Sequence, residues 1–134
     1  MVIGITGGIG SGKSFAVGCF LSYSNTVYYH TDEEAKKLMH TSEEIRRNLL
    51  SEFGPETYQK SVFNRAYIAS IVFNNPEKLQ SLNKIVHPVV RKHFEEFVNQ
   101  QPKDILILYE NAILFEIQSN LFCDTVITLT APKE

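Results

Sequence analysis

One stretch, VIGITGGIGSGKSFAV from Val2 to Val17, constrains this chain more than any other. Four glycines and a Lys-Ser pair follow directly on a short apolar run. Gly7, four further residues and then Gly12, Lys13 and Ser14 match the spacing of a phosphate-binding loop, provided that a strand precedes it and a helix follows. Val2 to Thr6 is predicted as that strand and Ser14 to about Ser22 as that helix, with Phe15, Cys19 and Phe20 turned to the sheet. Glycines let successive amides converge on one anion, and the positive end of the helix aims at the same point. Gly8, Ile9, Gly10, Ser11, Gly12, Lys13 and Ser14 are therefore the candidate nucleotide-binding residues. Lys13 supplies a mobile charge for the β- and γ-phosphates of ATP, and the Ser14 hydroxyl suits an octahedral Mg²⁺. A turn that only tightens strand–helix packing leaves Lys13 and Ser14 unexplained.

The rest of the chain reads as α/β, with short β-branched runs alternating with helical patterns and a parallel sheet flanked by helices. TVYYH (Thr26 to His30), DILILY (Asp104 to Tyr109) and DTVITLT (Asp124 to Thr130) are the further strands. Thr31 with Glu34, and Thr41 with Glu44, read as capping boxes. The second opens a helix whose Ile45, Leu49, Leu50 and Phe53 share a stripe, ended by Gly54 and Pro55. Asn64 opens the next helix, and Asn75 with Pro76 opens a longer one. Pro88 predicts a kink or break of that last helix around His87.

Composition narrows the function. With 134 residues there is one core and hardly two independent domains. A formal charge of −2 argues against a nucleic-acid backbone as partner. Cys19 and Cys123 have neither disulfide nor ligand spacing and read as core residues of a reducing compartment. No apolar run approaches bilayer length, so the expectation is a cytoplasmic protein with no membrane partner. The only Asn-Lys pair, Asn83-Lys84, continues to Val86 inside a helix, which disfavours a guanine-selective switch. The chain is too short for the insertion and signature loop of a transport ATPase. Small-molecule kinases remain.

Such an enzyme must hold an acceptor hydroxyl in line with the γ-phosphate at the carboxyl edge of the strands. Asp32, two residues past the second strand, is placed to accept that hydroxyl's proton. It equally complements its own helix dipole, as do Glu33 and Glu34. Glu110, at the end of the ILILY strand, either orients Mg²⁺ through water or simply reaches solvent.

Beyond these motifs, TDEEAKKL, FNRAYIASIVFNNPEKLQSLNKIVHPVVR, ENAILFE and CDTVITLTAPKE resemble, in order, segments of the dephospho-CoA kinases. The resemblance implies a P-loop kinase fold with a helical acceptor-binding insertion at about 41–100. It implies transfer of the ATP γ-phosphate to the ribose 3′-hydroxyl of dephospho-CoA, the last step of coenzyme A synthesis. By motif position Asp32 becomes the catalytic base, Lys13 its partner in catalysis, and Arg65, His87 and Glu116 acceptor-site residues. Plain structural roles stay open for each: a solvated helix-start arginine, a histidine occupying the proline bend, an exposed capping glutamate. Another small-molecule kinase and a non-catalytic nucleotide-binding module stand as alternatives. His30 departs from the family, many of whose members carry an aspartate there. The family also continues past TAPKE into an arginine-bearing lid and a final strand. The chain thus resembles a fragment, with low expected activity and an exposed edge at Val126–Leu129.

Overall fold

A computed structural model describes residues 1–8, 12–23, 25–111 and 119–130. The chain forms two compact units, one from 1–32 with 96–134, the other from 33–95.

The first unit is built on a four-stranded sheet of β1 (Val2–Gly7), β2 (Thr26–His30), β5 (Leu106–Glu110) and β6 (Thr125–Leu129). Its order is β2-β5-β1-β6 and every pairing is parallel. This is the expected α/β architecture. Ile5, Ile107, Leu108 and Tyr109 are buried because the inner strands β1 and β5 lie between neighbours on both sides. Tyr29, 1% exposed, packs its ring 5.2 Å from Phe97 and 5.9 Å from Tyr109. β5 starts and ends later than predicted and takes in Glu110.

Helix α1 (Lys13–Leu21) packs by Val17, with Phe20 half-buried beside it. Phe15 is 80% exposed and Cys19 is exposed, against the expected orientation. Apolar residues lie all round this short helix, so it has no single stripe to read. Cys123 is half-buried rather than central, and burial pushes its thiol up to about 11. At that value it is a thiol at neutral pH.

The second unit is helical. Its core is Ile45, Leu49 and Phe53 of α3 (Glu43–Phe53), Tyr58, Ile68 of α4 (Arg65–Val72), and Val86 and Val90 of α5 (Pro76–Asn99). The α3 stripe is as predicted, with Leu50 half-buried at its margin. Its cap falls one residue later than the expected box: Ser42 Oγ accepts from the Ile45 amide at 3.2 Å, and Thr41 instead donates back to the Lys37 carbonyl. The other box does not close either. Helix α2 (Thr31–Thr41) starts directly at Thr31, whose hydroxyl is buried without a hydrogen-bond partner among the described residues.

Asn64 accepts from Tyr67 N and Asn75 from Lys78 N, each at 3.2 Å, as the sequence predicted. Pro88 does not break α5, which runs unbroken through it. A two-stranded hairpin, β3 (Tyr58–Gln59) with β4 (Val62–Phe63), escaped the sequence reading. Its tip residues Lys60 and Ser61 both take positive φ, 51° and 66°. That is the backbone of a turn usually written Asn-Gly, and Lys-Ser hides it.

Candidate active site

The loop between β1 and α1 leaves the carboxyl edge of the sheet. Its glycines answer different needs. Gly12 caps α1 at φ 92°, and a Cβ there would meet nothing within 4 Å, so the requirement is conformational. A Cβ on Gly8 would also stand in open space. From Gly12 the helix closes at once, Ala16 N donating to Gly12 O at 3.0 Å. Lys13 is half-buried and Ser14 exposed at this helix start. The remaining members of the predicted loop, Ile9, Gly10 and Ser11, lie outside the described residues, as does Glu116.

On the same sheet edge β2 delivers Asp32 to the first turn of α2. Its side chain is exposed, and makes no hydrogen bond or ion pair among the described residues.

β5 delivers Glu110 opposite Ile5 on one side and His30 on the other. It does not reach for solvent: it is 7% exposed. Tyr28 donates to Oε1 at 2.9 Å, and His30 Nε2 stands 2.7 Å from Oε2. A buried carboxylate needs such partners, because unpaired it carries a desolvation cost of several kcal/mol. Asn111, also buried, continues the edge: its amide donates to Ile5 O at 3.0 Å and Nδ2 to the Tyr109 hydroxyl at 3.2 Å.

These donors bear on magnesium. Ser14 offers an exposed, hard hydroxyl oxygen, which fits the ion. Glu110 has both oxygens engaged, so it fits only as a carboxylate acting across a water. No cluster of three or more acidic, histidine or cysteine ligands forms among the described residues.

Arg65 and His87 belong to the helical unit. Arg65 is the first residue of α4, exposed and without a partner among the described residues. His87 is half-buried on α5 and lines a cavity with Gln80, Asn83, Lys84, Pro88 and Arg91. Burial, aided by the Arg91 charge, lowers its pKa below the ordinary imidazole value. The sequence reading missed the Tyr28–Glu110–His30 cluster. The only available signal was that alternate residues of TVYYH face one side of a strand.

Comparison with known proteins agrees with this layout. The family model for dephospho-CoA kinase matches residues 1–134. The dephospho-CoA kinase of Porphyromonas gingivalis is 37% identical over 134 residues, which are 100% of this chain and 65% of that protein. That of Chlorobaculum tepidum is 36% identical over 138 residues, covering 98% of this chain and 66% of its own length. A crystal structure from Thermus thermophilus superposes with a TM-score of 0.81 at 30% identity, over 98% of this chain and 66% of that one. The dephospho-CoA kinase from Campylobacter jejuni, at 22% identity, shares the fold with a TM-score of 0.69 over 99% of this chain and 66% of its own. The chain thus spans about 65% of the length of the curated relatives it matches. With a family model matched from end to end and relatives above one third identity, the chain belongs to the dephospho-CoA kinase family.

Proposed function

We propose that this protein transfers the γ-phosphoryl group of ATP to the ribose 3′-hydroxyl of dephospho-CoA, giving coenzyme A and ADP. The observation that carries the reading is a glycine loop and an aspartate unpartnered among the described residues, leaving the same edge of one parallel sheet in a chain matched to this family along its whole length. The loop amides and Lys13 hold the triphosphate, and Asp32 orients the acceptor hydroxyl. The 3′-oxygen forms the new P–O bond as the bond to the β–γ bridging oxygen breaks. The hydroxyl proton passes to Asp32, late, because the transition state of phosphoryl transfer is loose. Magnesium, when bound, neutralises charge on the β- and γ-oxygens; Ser14 would hold it and Glu110 would act on it across water. Arg65, His87 and Glu116 are assigned to the acceptor. A cytoplasmic setting suits these substrates, and no described helix is long and apolar enough to cross a membrane.

The test is ADP release from Mg-ATP with dephospho-CoA, a nucleoside or a sugar as acceptor. Stimulation by dephospho-CoA alone is expected. Equal release with every acceptor removes the assignment. Asp32→Asn is expected to lower turnover by about 10²–10⁴-fold while ATP affinity is unchanged. Turnover near wild type would reduce Asp32 to a helix-dipole residue.

A further inference from the structure

Tyr28 and His30 alternate along β2, so both side chains stand on one face of the sheet. Strand pairing sets His30 directly opposite Glu110, and Tyr28 opposite Leu108, two residues before it. The Tyr28 ring packs against the cluster of Ile5, Val17 and Leu108, and Val17 comes from α1. The face that carries Glu110 is therefore the one that α1 covers, and the first turn of that helix bears Lys13 and Ser14. A glutamate has three side-chain torsions and ordinarily samples many rotamers. Here each oxygen has its own donor, the Tyr28 hydroxyl at 2.9 Å from Oε1 and His30 Nε2 at 2.7 Å from Oε2. The two donors brace one another, their rings meeting edge to face at 5.8 Å and 82°. A carboxylate offers about four lone-pair sites, so two donors leave roughly two for a further partner. Packing alone does not call for this device, because a hydrophobic trio of similar volume would fill a buried strand end as well or better.

We infer that Tyr28 and His30 are positioning residues of the phosphoryl-transfer site: they hold the Glu110 carboxylate in the orientation that accepts a hydrogen bond from water on the magnesium nucleotide. They act through Glu110 rather than on the nucleotide itself. The inference rests on the Mg-ATP reading proposed above. A carboxylate fixed in advance does not have to be ordered when the metal nucleotide arrives. Partners of this kind contribute about 10–100-fold where the carboxylate ligates directly, and the lower end of that range is expected across a water.

The test is calorimetric binding of an ATP analogue with a β–γ imido bridge, measured on the full chain in EDTA and in saturating magnesium. The ratio of the two affinities is the magnesium gain. In EDTA, wild type and variants are expected to bind the analogue equally, since the glycine loop and Lys13 are untouched. The gain is expected to fall about tenfold in His30→Ala and about threefold in Tyr28→Phe. His30→Gln, whose carboxamide still donates an N–H, is expected to restore most of it. Tyr28→Phe keeps its ring in the core, so it decides the matter even where His30→Ala does not fold. A gain equal to that of wild type in Tyr28→Phe and His30→Ala overturns the inference. So does an affinity that drops equally with and without magnesium, the mark of a purely structural role, or a His30→Gln no better than His30→Ala. A wild type with no magnesium gain also removes the positioning role. ADP release dependent on dephospho-CoA, measured separately, then shows whether the kinase assignment stands without it.

Discussion

Glu110 illustrates how much a single side chain depends on its neighbours. A strand-end acid is ordinarily free to reach water, but here a phenol and an imidazole close over it. Glu110→Ala should destabilise the protein by about 2–4 kcal/mol, since it removes the carboxylate that Tyr28 and His30 hold at 2.9 and 2.7 Å. The midpoint of urea unfolding reads this, and an unchanged midpoint would show the cluster to be energetically idle. Gly54 is a second sensitive residue, at φ 97° and ψ 174°. That region is nearly closed to L side chains, so Gly54→Ala should cost about 1–3 kcal/mol. Crowding does not contribute, because the nearest atom to the new Cβ would be the Tyr67 hydroxyl at 3.7 Å. His87 supplies a pH dependence. Its native pKa lies below the unfolded value near 6.5, so the native state binds fewer protons. Its stabilising contribution is complete above about 6.5 and is lost as pH falls from there through the lower native pKa. Unfolding curves at pH 7.5 and 5 should therefore differ less in His87→Gln than in wild type.

At the scale of elements, caps and prolines decide boundaries. Ser42→Ala should cost about 1 kcal/mol, whereas Thr41→Ala should cost less than about 0.5, because Thr41 bonds only within the preceding helix. Equal losses would mean that the cap is shared. Pro88 sits inside α5 with no amide to give. Pro88→Ala should raise stability by about 1–3 kcal/mol by completing the ladder. Boundaries were legible where a side chain caps its own helix, as at Asn64 and Asn75. They were misread where two adjacent hydroxyls compete, as at Thr41 and Ser42, and where a strand runs straight into a helix, as at His30 and Thr31.

For the molecule as a whole, ligand binding and folding are linked. A nucleotide that binds only the native state adds about 2.7 kcal/mol at a hundred times its Kd. For a chain of this length that corresponds to a rise in Tm on the order of 10 °C. Mg-ATP should produce it in the wild type, and Lys13→Ala should erase most of it while leaving the unliganded Tm unchanged, since Lys13 has no partner among the described residues. A shift of equal size in Lys13→Ala would place the nucleotide elsewhere.

The sequence by itself determined the strand and the helix that flank the glycine loop, the parallel α/β sheet, the α3 core stripe and two of the helix caps. Each depends on residues near one another in the chain, where spacing alone fixes which groups can meet. Only the tertiary structure decided that Val17 rather than Phe15 faces the sheet, that Lys60 and Ser61 form a hairpin tip, and that Glu110 is buried against Tyr28 and His30. The last of these joins residues some eighty positions apart. Strand pairing brings them into register, and no local pattern carries that register.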